Sequence, residues 1–258
     1  MSGERAAADV AQGTTPLADR LGRFVFGYRD YLVPAALLAV IALTRPQAPF
    51  GSERLDAALD ALGLLVAVVG QVLRMAVIGY AYIQRGGAQK QLSAPKLVCA
   101  GFYAHSRNPM YAGDFLLFLG LSLIYNSPWV YLVVLPAVAF SLLAIVTAEE
   151  RYLGRRFGAA YADYCRTVNR FVPGLRGLRT TLRGMHFDWR RVLRKEYGTT
   201  FAWVSAAFFL LAWQQIVRLG WSAGQPALRW LLCLYVPVPL AYGYVRWLKK
   251  SGRLQSPD

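Results

Sequence analysis

Two short runs of charged residues stand at the ends of adjacent apolar stretches. The first, Ser106-Arg107-Asn108-Pro109-Met110-Tyr111-Ala112-Gly113, opens the stretch 109–125. The second, Ala148-Glu149-Glu150-Arg151, closes the stretch 128–148. Pro109 suits a first helical position, where its missing N–H has no intrahelical partner to lose. Between the stretches lies Tyr125-Asn126-Ser127-Pro128, a link so short that two helices joined by it must run antiparallel. The midpoint of positions 107 and 149 falls in that link, so folding there returns Arg107 and the Glu149–Glu150 pair to one end of the hairpin. A guanidinium fork beside two carboxylates suits a zwitterion: the carboxylates accept from an ammonium and the fork grips a carboxylate. The same three residues could instead pair with each other or mark a headgroup boundary.

The elements that must position this pair are read from hydropathy. Of 258 residues, 56% are hydrophobic and 17% charged, yet the net charge is +15. So much apolar surface excludes a disordered chain. Apolar stretches fall at 31–43, 57–83, 109–125, 128–148, 201–217 and 228–248. A helix needs about 20 residues to cross the hydrocarbon core. The second, fourth and sixth reach that length and the third and fifth are short. The first spans only with help from the mixed run 24–28. The expected fold is therefore an all-α polytopic membrane bundle of about six helices, with the hairpin 109–148 at its centre. Twenty-four of the 29 Lys and Arg residues lie in alternate segments outside the membrane and four in the intervening ones. By the positive-inside bias both termini and the segments 84–108 and 149–200 face the cytoplasm, in the plasma membrane if the source is bacterial. The first 30 residues hold no apolar run ahead of a cleavage site, so no signal peptide is expected.

The domain reading follows: a cytoplasmic segment 1–30, a membrane core 31–173, a basic interfacial segment 174–200 and a C-terminal membrane hairpin with its tail, 201–258. In the basic segment Leu175, Leu178, Leu182, Met185, Trp189 and Val192 recur between arginines. That pattern predicts a helix on anionic lipid headgroups, broken at Gly177 and Gly184, rather than a nucleic-acid surface. Cys99, Cys165 and Cys233 lack metal-ligand spacing and the chain has only two histidines, so no metal site is expected. Asp114 falls in the first turn of the third stretch, and Arg74 inside the second as its one charge beyond the polar ends. Tyr161 and Tyr164 fall on a short helix expected to end near 172–174, as a lid over a ligand or as interfacial anchors. Gly113 and Gly120, seven apart, predict close helix packing.

At these residues the sequence resembles the isoprenylcysteine carboxyl methyltransferases and their relatives, the membrane phospholipid methyltransferases. The matching blocks are Leu97-Val98-Cys99-Ala100-Gly101-Phe102-Tyr103, the run Arg107 to Gly113, and Asn126-Ser127-Pro128. They continue with Glu149-Glu150-Arg151-Tyr152-Leu153, Phe157 to Tyr164, then Val168, Arg170 and Pro173, with Leu73-Arg74-Met75-Ala76 upstream. The resemblance implies methyl transfer from S-adenosylmethionine to a lipophilic acceptor resembling an isoprenylcysteine carboxylate, with a phospholipid amine or small thiol as the alternative. It implies Arg107, Asn108, Tyr111, Glu149 and Glu150 as cofactor-binding residues; the methionine end of that cofactor is a zwitterion. Two positions depart from the pattern. Asn108 stands where His is commoner, and Asn cannot shuttle a proton near neutral pH. Apolar Ile145 and Val146 stand where a basic residue often precedes the Glu pair. A reading of another class, a non-catalytic membrane scaffold or carrier, would leave these motifs vestigial; the chain lacks the paired inverted halves of many transporters. The resemblance ends near 173.

Overall fold

The structure, a computed structural model, describes residues 37–48, 51–80 and 96–254. Among them the chain is helical throughout, with no strand. Helix α1 spans Glu53–Tyr80, α2 Pro109–Tyr125, and α3 comprises a π-helical turn Val130–Val134 continuing into Leu135–Phe157. Short helices α4 (Ala159–Thr167) and α5 (Leu178–Arg183) follow. Then come α6 (Trp189–Tyr235) and α7 (Pro237–Lys250).

Three units, Glu53–Tyr80, Val130–Phe157 and Trp189–Lys250, are long and apolar enough to cross a membrane, and Pro109–Tyr125 is a shorter apolar helix. This is the helical membrane bundle expected; the start and the turn of the hairpin agree with the sequence, whereas its second helix runs nine residues past 148, to Phe157. The first expected span lies mostly outside the described residues; 37–43 is helical. The third unit is two antiparallel legs. Gly220, at φ 74° and ψ 169°, breaks the helix with a backbone that L side chains rarely adopt. Across it Ser205 Oγ meets Tyr235 Oη at 2.9 Å, Tyr197 stacks on Tyr242 at 5.3 Å, and Lys249 Nζ lies 4.9 Å from the Tyr197 ring centre. The expected ten-residue loop 218–227 is thus replaced by a turn at one glycine, the helix resuming at Trp221.

Helices α1 and α2 pack antiparallel with backbone almost against backbone. A Cβ added at Gly63 would lie 2.6 Å from Gly120 O, and one at Gly70 2.8 Å from Gly113 O. In lipid, where burial of apolar surface no longer drives association, such small-residue seams let dispersion and weak hydrogen bonds act at short range. Gly113 and Gly120 pack as expected, and Gly63 and Gly70, also seven apart, are their partners. On the other side of α1, Leu62, Leu65, Val69 and Val72 form an exposed stripe at helical spacing, a surface suited to lipid.

The turn between α2 and α3 is pinned from outside the hairpin. Asn126 adopts a left-handed backbone (φ 45°, ψ 63°), and its amide donates to Gln47 O at 2.6 Å. Tyr125 Oη donates to Thr44 O at 2.9 Å. The π-helical turn at the start of α3 lies directly before Pro136, which has no N–H to return to Leu132 O. The widened turn absorbs that missing bond and the ring's bulk. Val40, Leu121, Ile124, Val130, Val134, Val138 and Leu210 form the apolar core at this end.

Candidate functional site

The site lies at the other end of the hairpin. Asn108 caps α2 but makes no side-chain cap; its amide donates instead to Glu150 Oε1 at 3.2 Å and Arg170 O at 3.3 Å. Glu150 also receives Arg170 Nη2 on Oε2 at 2.9 Å, and Arg107 Nε stands 3.7 Å from Oε1. One carboxylate thus gathers Asn108 and two guanidinium groups from two separate segments, 107–108 and the chain after α4. Its neighbour Glu149 accepts from Tyr111 Oη at 2.6 Å, tying α3 to the first turn of α2. Arg107, Asn108, Tyr111, Glu149 and Glu150, the residues singled out by sequence, are therefore brought together.

Backbone bonds hold the segment before α2 in place. Arg107 N donates to Asn169 O at 2.9 Å, and Ser106 Oγ donates to Phe171 O at 3.1 Å. These pairings explain why α4 stops at Thr167 rather than near 172–174. Val168 turns to an extended backbone (φ −120°, ψ 128°), and the following residues lie alongside 105–108. That path delivers Arg170, whose Nη2 also donates to Thr147 Oγ1 at 2.7 Å. Arg170 stood in the sequence pattern without a site role. Its signal was its place after the two tyrosines, but nothing local says that it reaches Glu150.

Tyr161 and Tyr164 are buried, with ring centres 6.1 Å apart, and Tyr164 Oη donates to Tyr103 O at 2.6 Å. They are packed beneath the site rather than exposed at the interface. Burial raises both phenol pKa values, helped at Tyr161 by the Glu150 charge and at Tyr164 by Cys99. For Arg107, burial works against the charged form, but Glu150, Cys165 and Tyr161 outweigh it and its pKa is raised. The guanidinium stays charged, and its buried Nε has no hydrogen-bond partner; Arg170 Nε is in the same condition.

His105 does not face the carboxylates. Nδ1 donates to Gly174 O at 2.5 Å and Nε2 accepts from Thr181 Oγ1 at 3.0 Å, while Gly174 N returns a bond to His105 O at 2.9 Å. The imidazole fastens α5 and the strand of chain before it beside the site.

A second polar group lies on the α1 side of α2. Arg74 reaches Glu196 through Nε to Oε2 at 2.9 Å and Nη2 to Oε1 at 2.7 Å, and Nη1 pairs with Asp114. Gln71 Nε2 donates to Glu196 Oε2 at 3.0 Å, and Gln71 Oε1 accepts from Trp203 Nε1 at 2.8 Å. Arg74, the charge inside the second apolar stretch, is therefore buried in a bidentate pair. Asp114 stands three residues after Tyr111, close to the same face of α2. Glu196 was not singled out by sequence, although it is the acid that directly follows the basic run 190–195.

The apolar residues of the basic segment do not share one exposed face. Gly177 and Gly184 do bound α5. Leu175 and Trp189 are exposed, but Met185 packs on Val77 and Tyr103, and Val192 is buried. Those two turn inward because α6 starts at Trp189, capped by Asp188, whose own N–H donates to Gly79 O at the end of α1. Among the described residues no group of three or more His, Cys, Asp or Glu is placed to hold a metal ion.

Residues 59–160 match the family model described as PEMT, phospholipid methyltransferase, a family of membrane-embedded methyltransferases. The match takes in the glycine seam, both site-bearing helix ends and the first turn of α4. It excludes Arg170, Glu196 and the whole of α6 and α7. No curated protein and no solved structure matches the chain.

Proposed function

We propose that this chain, whose 59–160 segment is that of a membrane methyltransferase family, transfers a methyl group from S-adenosylmethionine to a lipophilic acceptor supplied by the bilayer. The observation that carries the reading is the meeting of Arg107, Asn108, Tyr111, Glu149, Glu150 and Arg170 where α2 begins and α3 ends. The donor set fits the cofactor's zwitterionic end. Arg107 Nε and Arg170 Nε are buried donors left over for a carboxylate. Glu149, steadied by Tyr111, presents the carboxylate that an ammonium would seek. Glu150 keeps the two guanidinium groups and Asn108 in register.

Bound there, S-adenosylmethionine supplies a methyl group already activated on a sulfonium. The protein's task is then alignment and exclusion of water, so Asn108 need not act as an acid or base. The packed tyrosines 161 and 164 keep water from the floor of the site.

For the acceptor, the carboxylate of an isoprenylcysteine and the amine of a phospholipid make opposite demands. Asp114, near the Tyr111 face and paired to Arg74, adds an acceptor oxygen suited to a hydrogen bond from an amine or ammonium rather than to a carboxylate. That residue, and the family's description, favour the phospholipid amine. The strongly basic segments support a site facing the cytoplasmic membrane surface, near anionic headgroups. Residues 31–173 then form the catalytic core, and α6 and α7 buttress α1.

Labelled-methyl transfer in membranes expressing the chain tests the acceptor. Label in the lipid extract supports the amine reading, label in protein the prenylcysteine reading, and label in a volatile product a small thiol. Calorimetry in detergent tests the site: Glu149→Gln with Glu150→Gln should abolish cofactor binding in a protein that still folds. Retained affinity overturns the assignment, and absence of both binding and transfer in the unaltered chain returns it to a scaffold.

A further inference from the structure

The α1–α6 seam carries polar groups at both ends, and the end remote from Arg107 and Glu150 has an imbalance of its own. Asp56 and Asp60, one turn apart on α1, face Gln214 and Arg218, one turn apart on α6. Arg218 Nη1 pairs with Asp56 Oδ2. Gln214 Nε2 donates to Asp60 Oδ1 at 3.3 Å and also to Ile124 O. Gln214 Nε2 and Arg218 Nη1 are thus engaged on the acceptors beside them, and two buried acceptor atoms are left over. Asp56, 1% exposed, has no hydrogen-bond partner at Oδ1; Gln214, 0% exposed, has none at Oε1. Two carboxylates stand against one guanidinium, and Asp60 has no ion pair among the described residues.

Buried acceptors without donors, beside a surplus negative charge at the end of an apolar bundle, are expensive unless a positive ligand completes them. The vacant atoms are hard oxygens of carboxylate and amide, next to an engaged backbone carbonyl. Such oxygens select alkali and alkaline-earth ions over softer metals. Two carboxylates, one already held by Arg218, carry too little charge for a divalent ion. We propose that this end of the seam binds a compact monovalent cation of sodium's size. Asp60, only half-buried, gives the ion its way in from the aqueous boundary, and the bound ion fastens α6 to α1. The proposal is independent of the methyltransferase reading, because none of these residues belongs to the site at the other end.

The test is thermal unfolding of the full chain in detergent, with sodium chloride replaced stepwise by N-methyl-D-glucamine chloride at constant ionic strength. Sodium should raise the Tm saturably by roughly 2–4 °C, the shift expected of a weak site well filled in a chain of this size. Asp60→Asn should remove the sodium-specific part while keeping the side chain's shape. Gln214→Glu should move half-saturation to lower sodium by adding charge to the same oxygens. Identical unfolding in both salts overturns the proposal and assigns the excess acceptors to water or a proton. A sodium shift that survives Asp60→Asn overturns it as well. If Asp60→Asn does not fold, Gln214→Glu decides: an unchanged half-saturation overturns the site.

Discussion

Arg74 and Glu196, 122 positions apart in the chain, form a two-pronged ion pair at 2.9 and 2.7 Å between helices α1 and α6. The pair joins the family-matched segment to the part of the chain beyond it. Arg74 also holds Asp114 on α2, so one guanidinium locks three helices.

Removing one partner of such a pair strands the other in a buried setting. Glu196→Ala should therefore destabilise the protein by about 3–5 kcal/mol, read as a large fall in Tm in detergent. Glu196→Gln, which keeps hydrogen-bond acceptance at one atom, should cost less. An unchanged Tm in Glu196→Ala would mean that α6 is held by its apolar face alone.

The glycine seam sets a second expectation. Gly70→Ala places a methyl group against Gly113 O and Leu116, and overpacking of this kind costs about 1–3 kcal/mol. Gly243→Ala meets nothing within 4 Å and should stabilise α7 by about 0.5–1 kcal/mol through helix propensity. Unfolding of the two variants side by side separates contact from propensity.

Much of this framework was legible in the sequence, for identifiable reasons. Apolar run lengths gave the helices, and Asn126-Ser127-Pro128 gave the turn. The turn's position then brought Arg107 to Glu150, because an antiparallel hairpin is symmetric about its link. Glu196 and Arg170 were not legible as partners, since their contacts depend on how α6 and the chain after α4 return to α1 and α2. Gln71 and Arg74 were a readable hint: two polar residues three apart in an apolar stretch share a face and need an answering group. The turn at Gly220 was obscured because the flanking residues 221–227 favour neither loop nor helix strongly.

Alkaline pH should weaken the fold through the buried tyrosines. Tyr161 and Tyr164 have raised pKa values in the folded state, so between about pH 10 and those values the folded protein holds protons that the unfolded chain has lost. Their contribution is complete below about pH 10 and declines as pH rises above it. Tyr161→Phe should flatten the fall in Tm between pH 9 and 11. An equally steep fall in that variant would move the effect to other groups.

His105 fastens the stretch from Gly174 to Thr181, so His105→Ala should release α5. Limited trypsin digestion should then cut faster at Arg176, Arg179 and Arg183, with α6 still protected. Equal rates in the two proteins would show that α5 is held by other contacts.

The leg of the C-terminal hairpin after Gly220 has a consequence for the whole molecule. Trp221 stands at one end and Tyr244 and Trp247 near the other, all largely exposed. At 1.5 Å per residue, Trp221 and Trp247 are about 39 Å apart. That is close to the ~40–45 Å between the two interfacial regions of a bilayer, where indole and phenol rings settle. This leg therefore works as a depth gauge. It fixes how far the bundle sinks, and through α6 and α1 it sets the depth of the helices that carry Arg107 and Glu149.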